Sequence, residues 1–590
     1  MTKTNQKASW RFFLPYLLAF RLELILSIIF GLASGITVVL TTYYIGLSVD
    51  QMVNQGQVNF STLRHILTLL MGVLLVTVVS QWLIQRLSNR LSYRSVAVLR
   101  KDAYEHLNQL PLRYYDQTAH GDIVSRFTND MDNTSVASAA VFNQLFSGIT
   151  VVIVALVFML YLSPILTLVV LISTLVVLIS TPIIFLVSWL VARASQQDFV
   201  SQQQIIGDIS GYITEMIGNQ KTVKAFQRET VNQAQFEDLN QELYVKGQKT
   251  QFSSSLTNPL SRFVDHLAYL SVGCVGGIMA LNGSTTVTIG VISSFTIYAT
   301  QFSKPFIEIS GITTQIQTAF AGLKRTQELM NQPIEQPDAP DAQVLEHAKG
   351  EIDFQDVSFG YNPGQSLITD FSLKVAPGEM IAIVGKTGAG KSTLINLLMR
   401  FYDVDKGSIS IDGIDIRDFT RDSLRQSFGM VLQETWLFGS SLRANLCYGR
   451  EDATDDEIYA ALKQAHMYDF VMRLPEKLET QIGAHALKIS EGQRQLLTIA
   501  RTMISEPDML ILDEATSSVD TLTEQKISQA FLTMLTGRTS FVIAHRLSTI
   551  RNADQILVLN QGQIVEIGSH DELMARHGYY YQLQQAQFAK

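Results

Sequence analysis

Cysteine is nearly missing from this chain, which has two in 590 residues, Cys274 and Cys447, one in each half. That excludes a disulfide-built secreted fold and points to a reducing setting for whichever half is soluble. A surplus of basic residues is missing as well. With 45 Lys and Arg against 53 Asp and Glu and a net charge of −8, the chain lacks the basic face that nucleic acid requires, so no nucleic-acid partner is expected. The most informative absence is local: residues 133–192 contain no Asp, Glu, Lys or Arg. A charge at the centre of a bilayer costs about 2.5–3.5 kcal/mol on insertion scales, and none is tolerated here. A lipid bilayer explains this better than a large buried core.

Long apolar runs dominate up to about residue 325. Spans are expected near 24–47, 65–85, 138–160, 165–190, 260–281 and 287–310, each meeting the ~20 residues that a bilayer core demands. The turn at 161–164 separates the middle pair. Residues 12–20 read as a short interfacial helix, and no removable signal peptide is expected before the first span. Arg86, Arg90, Arg94, Arg100, Lys101, Arg113 and Arg126 lie between the second and third spans. Arg193, Lys221, Lys224, Arg228, Lys246 and Lys249 lie between the fourth and fifth. The alternate loops, 48–62, 161–164 and 282–286, have no Lys or Arg. By the positive-inside rule both termini are cytoplasmic.

The two basic segments are longer than a connection needs and read as helices running out of the membrane. Pieces at 111–118 and 216–223 read as tips able to dock on another domain, or as ordinary solvated hairpin ends. Arg262, Asp265 and His266 open the fifth span. Lys304 and Glu308, one turn apart in the sixth, suit structural pairing better than substrate contact.

The stretch 332–341 is acidic and proline-rich, marking a boundary. The expected organisation is an all-α six-helix transmembrane domain at 1–325, a linker at 326–349, and an α/β P-loop nucleotide-binding domain at 350–590.

In the soluble half, the apolar run 380–384 leads into Gly385-Lys386-Thr387-Gly388-Ala389-Gly390-Lys391-Ser392-Thr393 and then an apolar stretch at 394–399. This is a P-loop in its strand–loop–helix setting. The glycines let backbone N–H groups wrap a phosphate, and the following helix adds its positive end. Lys391 supplies charge for the outer phosphates, and the Ser392 hydroxyl suits Mg²⁺.

The run 509–512 ends in Asp513 and Glu514, two carboxylates where a buried parallel strand delivers ligands. Asp513 suits Mg²⁺, and Glu514 is placed to orient and deprotonate an attacking water. Two carboxylates beside a triphosphate imply the metal. Gln433 and His545 follow two further apolar runs, 430–432 and 539–544. Tyr361, upstream of the P-loop strand, could stack on adenine or serve as an ordinary strand aromatic. Ser490-Glu491-Gly492-Gln493 reads as a capping box for the helix 494–504, and its capped N-terminus is a second anion site. A single nucleotide can hardly use both sites, whereas two facing chains could each lend one.

Together these residues resemble the ATP-binding cassette family, and the whole chain resembles its exporter-type half-transporters. In that light 385–393 looks like Walker A and 509–514 like Walker B. Tyr361 looks like the adenine-stacking aromatic, Gln433 like the Q-loop glutamine beside the metal, Asp520 like the D-loop aspartate and His545 like the switch histidine. Ser490, Gly492 and Gln493 occupy the family's signature. The resemblance implies an ATPase, a head-to-tail dimer sandwiching two ATP molecules with Mg²⁺, tips docked on the nucleotide domains, and a place in the cell's inner (plasma) membrane.

The signature departs from Leu-Ser-Gly-Gly-Gln, having Ile489 and Glu491, and the acidic residue of a nearby Gly-Glu-x-Gly segment is missing at 483–486. The pattern is similar to one subunit of heterodimeric bacterial multidrug exporters, implying a second half-transporter as partner, with a homodimer as the alternative. A drug, lipid or peptide of amphipathic character is the expected substrate. An ATP-gated channel or regulatory subunit, or an importer on the same scaffold, remains open at this stage.

Overall fold

The structure is a computed structural model that describes residues 3–53, 58–172, 196–255, 257–282, 287–362, 364–433, 435–483, 487–513, 520–544 and 547–588. The chain divides into two compact units. One comprises 1–109 with 118–333, and the other 110–117 with 334–590.

The first unit is helical. It opens with α1 (Lys3–Leu18), α2 (Arg21–Val53) and α3 (Phe60–Leu107). The short helix α4 (Leu112–Gln117) falls in the second unit. After α5 (His120–Ser125) comes a π-helical turn, Arg126–Asp130, then α6 (Met131–Asn143), a second π-helical turn, Gln144–Gly148, and α7 (Ile149–Leu162). Helix resumes at 164–172. There follow α8 (Gln196–Gly218), α9 (Gln220–Ala225), α10 (Glu229–Ser255), α11 (Thr257–Leu281), α12 (Ile289–Gly311) and α13 (Thr313–Met330).

Among the described residues three helical stretches are long and apolar enough to cross a membrane, Arg21–Val53, Phe60–Leu107 and His120–Leu162. They contain three of the expected spans. That expected at 260–281 lies within α11 and that at 287–310 corresponds to α12, which starts two residues later; their apolar parts are Tyr269–Leu281 and Ile289–Phe302. The span at 165–190 lies largely outside the described residues, as do the side chains of Arg262, Asp265 and His266.

With 48 residues, α3 is about 70 Å long at 1.5 Å per residue, more than twice a ~30 Å hydrocarbon core. Its apolar part turns Met71, Leu75 and Val78 outward, which suits contact with lipid. Helix against helix, the contacts run through small residues. A Cβ on Gly31 would come within 2.7 Å of the Phe146 carbonyl oxygen, so α2 meets the second π-helical turn backbone to backbone. Lys304 and Glu308 do pair, at 3.6 Å. At the first π-helical turn the buried Asp130 takes a bidentate grip from Arg325 of α13, with Nε to Oδ2 at 2.8 Å.

The second unit is built on two sheets. The strands are β1 (Ile352–Phe359), β2 (Ile368–Val375), β3 (Met380–Gly385), β4 (Lys406–Ile411), β5 (Ile414–Asp415), β6 (Phe428–Val431), β7 (Met509–Asp513), β8 (Thr539–Ile543), β9 (Gln555–Asn560) and β10 (Gln563–Gly568). An antiparallel sheet has the order β2-β1-β4-β5, and a six-stranded sheet the order β10-β9-β3-β8-β7-β6. In the larger sheet all strands are parallel except the edge strand β10. Central strands such as β8 are buried at every position, as a parallel sheet covered on both faces requires.

Because neighbouring side chains on a strand point to opposite faces, this sheet separates two cores. Ile381 and Ile383 of β3 join Phe541, Met509 and the antiparallel sheet on one face. Ala382 and Val384 join Val542 and Leu512 on the other.

The proline-rich stretch does not hang free. Arg421, almost fully buried, donates through Nη1 to the Gln336 carbonyl at 2.6 Å and to Asp338 Oδ1 at 2.7 Å, while Arg425 reaches Glu335 Oε1 at 2.8 Å. The segment therefore lies on the nucleotide unit as a strap. Composition alone marks only a boundary and a linker, because these arginines come some ninety residues later.

Candidate functional site

The site is assembled by strand order. From β3 the sheet runs through β8 and β7 to β6. β3 leads into the P-loop, β8 precedes His545, β7 ends on Asp513, and β6 ends two residues before Gln433. The registers Ile383↔Ile543, Asp513↔Ile543 and Val431↔Leu512 keep these C-terminal ends level. Four adjacent strand ends of one parallel sheet form the edge at which such folds bind ligands. Glu514 and His545 lie outside the described residues, each one position beyond a described stretch at this edge.

The P-loop closes tightly on itself. Gly388 and Gly390 have φ of +82° and +101°, the left-handed region that glycine enters without a Cβ penalty. Gly390 also starts α14 (Lys391–Leu398). A Cβ on Gly385 would lie 2.4 Å from the Leu559 carbonyl oxygen, so β3 and β9 approach too closely for a side chain there. The Ala389 N–H donates to the Lys386 carbonyl and the Ala389 carbonyl accepts from Gly562 N, each at 3.1 Å.

Lys391 curls over this loop, its Nζ donating to the carbonyls of Gly385 at 2.9 Å and Lys386 at 3.2 Å. Burial lowers its pKa, and the charge of Asp513 opposes that shift. Lys391 and Asp513 therefore sense each other across the edge. Lys386 and Thr387 are exposed on the loop, and Ser392 is exposed at the start of α14, beside the half-buried Lys391. Thr393 is buried and accepts from the Tyr361 hydroxyl at 3.3 Å. Asn396 Nδ2 donates to the same hydroxyl at 3.1 Å. Tyr361 is thus joined to the P-loop helix, as an aromatic serving that loop would be.

The capping box expected at Ser490 is present. Ser490 N donates to Gln493 Oε1 at 3.1 Å, and Gln493 N to Ser490 Oγ at 3.3 Å, opening α15 (Glu491–Ile504). Gly492 is buried in its first turn. Asp520 caps α16 (Thr521–Leu535), accepting from Thr523 N at 3.0 Å, and these backbone hydrogen bonds hold its carboxyl below the usual range.

α14 and α15 pack on opposite faces of the six-stranded sheet. Leu394, Ile395, Leu397 and Leu398 of α14 belong to the core shared with the antiparallel sheet. Leu496, Leu497, Ile499 and Ala500 of α15 belong to the other core. Their starts, at Gly390 and Ser490, therefore belong to different layers of the unit.

The described residues include no cluster of three or more His, Cys, Asp or Glu able to cage a metal unaided. The donors on this edge are oxygen atoms of Ser392, Gln433 and Asp513. That set suits Mg²⁺, which takes one or two protein oxygens together with substrate phosphates.

Sequence reasoning missed several contacts. Arg501 on α15 donates to the carbonyls of Asn445 at 2.7 Å and Trp436 at 3.1 Å, fastening the segment after Gln433 to the signature helix. An arginine late in an amphipathic helix carries no signal of such a long-range role. Tyr402 and Asn396, beside Tyr361, were equally silent.

A transmembrane-region model of ABC transporters matches residues 24–306, and an ABC transporter model matches 368–517. A fatty acid ABC transporter ATP-binding/permease protein of Mycobacterium bovis is 39% identical over 529 residues, covering 90% of this chain and 82% of that protein. An uncharacterized ABC transporter ATP-binding protein of Bacillus subtilis is 37% identical over 569 residues, covering 96% of this chain and 91% of that one. The solved structure of a bacterial Atm1-family ABC exporter with ATP bound superposes with a TM-score of 0.72 at 28% identity, covering 96% of this chain and 98% of that one.

Proposed function

We propose, for a chain that belongs to the ABC transporter family as an exporter-type half-transporter, that it moves an amphipathic or hydrophobic compound outward as one subunit of a dimer. Its ATPase domain drives that transport. The reading rests above all on the opposite-face placement of α14 and α15. Two such chains, head to tail, complete each other's sites, each P-loop facing the other chain's Ser490, Gly492 and Gln493. The fatty-acid relative and the sparsely charged spans favour a lipid or amphipathic drug as cargo.

In this reading Tyr361 stacks on adenine, the backbone of 385–393 and Lys391 hold the phosphates, and Asp520 lies at the dimer seam. Ser392, Gln433 and Asp513 would hold Mg²⁺, which would neutralise charge on the phosphates. Glu514 orients and deprotonates the attacking water, and His545 contacts the outer phosphate. Closure of the dimer on ATP re-orients the spans. Moving such an equilibrium from 1:99 to 99:1 needs about 5.5 kcal/mol of differential binding, a demand that two sandwiched triphosphates can meet. Both termini and the nucleotide unit are cytoplasmic, in the inner membrane, with the domains parting at 325 and 350.

Intact Asp513 and Glu514 beside an altered signature favour a heterodimer. There the partner's signature completes this chain's hydrolytic site, and Glu491 faces a weaker one. The test is Glu514→Gln in the purified assembly, which should bind ATP normally and stop turning over. Near-normal hydrolysis would remove the base assignment, and full transport-coupled activity of this chain alone would remove the heterodimer.

A further inference from the structure

The helix α4 belongs with the nucleotide unit although the chain on both sides of it belongs to the helical unit. Its grip there falls on Tyr361 and Tyr402. Arg113 Nη2 donates to the Tyr361 carbonyl at 2.9 Å. Asp116 accepts a hydrogen bond from the Tyr402 hydroxyl. The Tyr402 ring stands perpendicular to Tyr361, with centroids 5.0 Å apart and planes at 88°, and both rings pack on Phe359. Tyr361 is in turn fastened by its hydroxyl to Thr393 and Asn396 of α14. Tyr361 is therefore held at three points: its backbone by α4, its ring by a tyrosine that α4 holds, and its hydroxyl by the P-loop helix.

Resting on the reading of Tyr361 as the adenine platform, we propose that Arg113, Asp116 and Tyr402 are positioning residues through which α4 reads the nucleotide's base. A base stacking on Tyr361 restrains a ring whose neighbours are tied to α4, so it restrains α4. A bare triphosphate fills the P-loop but brings no base to stack on that ring. Coupling between two sites is reciprocal, so a shift of α4 must change affinity for the base by the same factor. The chain would thus divide the nucleotide between two tasks, with phosphates closing the P-loop and adenine reporting occupancy to the helix at the end of α3.

The test is backbone hydrogen exchange on the full-length assembly with Mg²⁺ and either AMP-PNP or inorganic tripolyphosphate at saturation. AMP-PNP should slow exchange over 110–117 by about threefold or more, the mark of a segment drawn out of local opening, and tripolyphosphate should not. Both should protect Lys391–Leu398. Tyr402→Phe and Asp116→Asn each remove one hydrogen bond and keep the packing. Each should abolish protection of 110–117 while Lys391–Leu398 stays protected, and the double variant should do no more than either alone. Equal protection of 110–117 by tripolyphosphate, or retained protection in Tyr402→Phe, overturns the proposal. Missing protection at Lys391–Leu398 in the unaltered protein would instead sink the nucleotide-site reading beneath it.

Discussion

Thr435 Oγ1 lies 3.4 Å from Glu491 Oε1, and Arg494 Nη1 lies 3.7 Å from Oε2 of the same carboxylate. The acidic residue standing where the family's signature has glycine is thus engaged within its own chain, on one side by the segment that follows Gln433. A free carboxylate ~7 Å from a γ-phosphate, at an effective dielectric of ~20, is repelled by about 2 kcal/mol per unit charge. That is a factor of about 30 in rate, and the two contacts reduce it. Glu491→Gly should therefore raise hydrolysis at the site this signature closes by about 3- to 30-fold, read as steady-state ATPase of the assembly. Thr435→Val, which releases the carboxylate, should move the rate the other way. An unchanged or lower rate in Glu491→Gly would show that the carboxylate never opposes the phosphate.

Burial lowers the pKa of Lys391, and Asp513 only partly restores it. ATP requires the charged ammonium, so binding raises this pKa and takes up a proton wherever the free amine has begun to titrate. ATP affinity should fall as pH rises toward the ordinary lysine range, and the fall should begin earlier than for an exposed lysine. Lys391→Arg, which stays charged, should flatten the profile, and Lys391→Ala should bind ATP at least about tenfold more weakly at neutral pH, with the gap narrowing as pH rises. Equilibrium binding of ATP across alkaline pH checks this. A flat profile in the unaltered protein would contradict it.

The catalytic edge was legible because its signals are local. Runs expected at 380–384, 509–512 and 539–544 became β3, β7 and β8, each within a residue or two, since a buried parallel strand is an unbroken apolar run with a polar residue at its end. The capping box at Ser490 was legible for the same reason. What escaped depends on partners distant in sequence, or on departures from regular periodicity. β2, β4 and β5 were unforeseen because their pairings, such as Phe354 with Leu373 and with Ile409, carry no local mark. The π-helical turns at Arg126–Asp130 and Gln144–Gly148 were invisible because one extra residue in a turn leaves the apolar pattern on either side intact. The strap around Asp338 reads as a loop until Arg421 closes over it.

That strap gives a stability prediction. Arg421 is 8% exposed, and its guanidinium depends on Asp338, Glu335 and the Gln336 carbonyl. Removing Asp338 leaves a nearly buried charge short of its best partner, at a cost of about 2–3 kcal/mol, toward the low end for breaking a buried pair because Asp338 itself is partly exposed. Asp338→Ala should lower the unfolding midpoint of the nucleotide unit by that equivalent in denaturant titration. A change within about 0.5 kcal/mol would show that the strap merely rests on the surface.

In the membrane half α2 and α12 approach each other closely at Gly46 and Gly290. A Cβ on Gly290 would lie 2.1 Å from the Gly46 carbonyl oxygen and 2.6 Å from Asp50 Oδ1. Around that contact Asp50 accepts from Gly290 N and Thr288 Oγ1, both at 2.7 Å, while Ser294 Oγ donates to the Thr42 carbonyl at 3.2 Å and Tyr298 OH to the Val39 carbonyl at 3.1 Å. Cross-helix hydrogen bonds of this kind average only about 0.6 kcal/mol each, so the seam depends on close approach more than on any one of them. A methyl group at Gly290 meets backbone, which cannot rotate aside, and it would push the two helices apart and strip several of these bonds at once. Gly290→Ala should therefore cost about 2–3 kcal/mol, as overpacking does, and lower the thermal midpoint in detergent by several degrees. Gly273→Ala in α11 is the matched control, because a Cβ there meets nothing within 4 Å, and it should leave the midpoint unchanged. Equal midpoints for the two variants would mean that α2 and α12 are not in contact at Gly46.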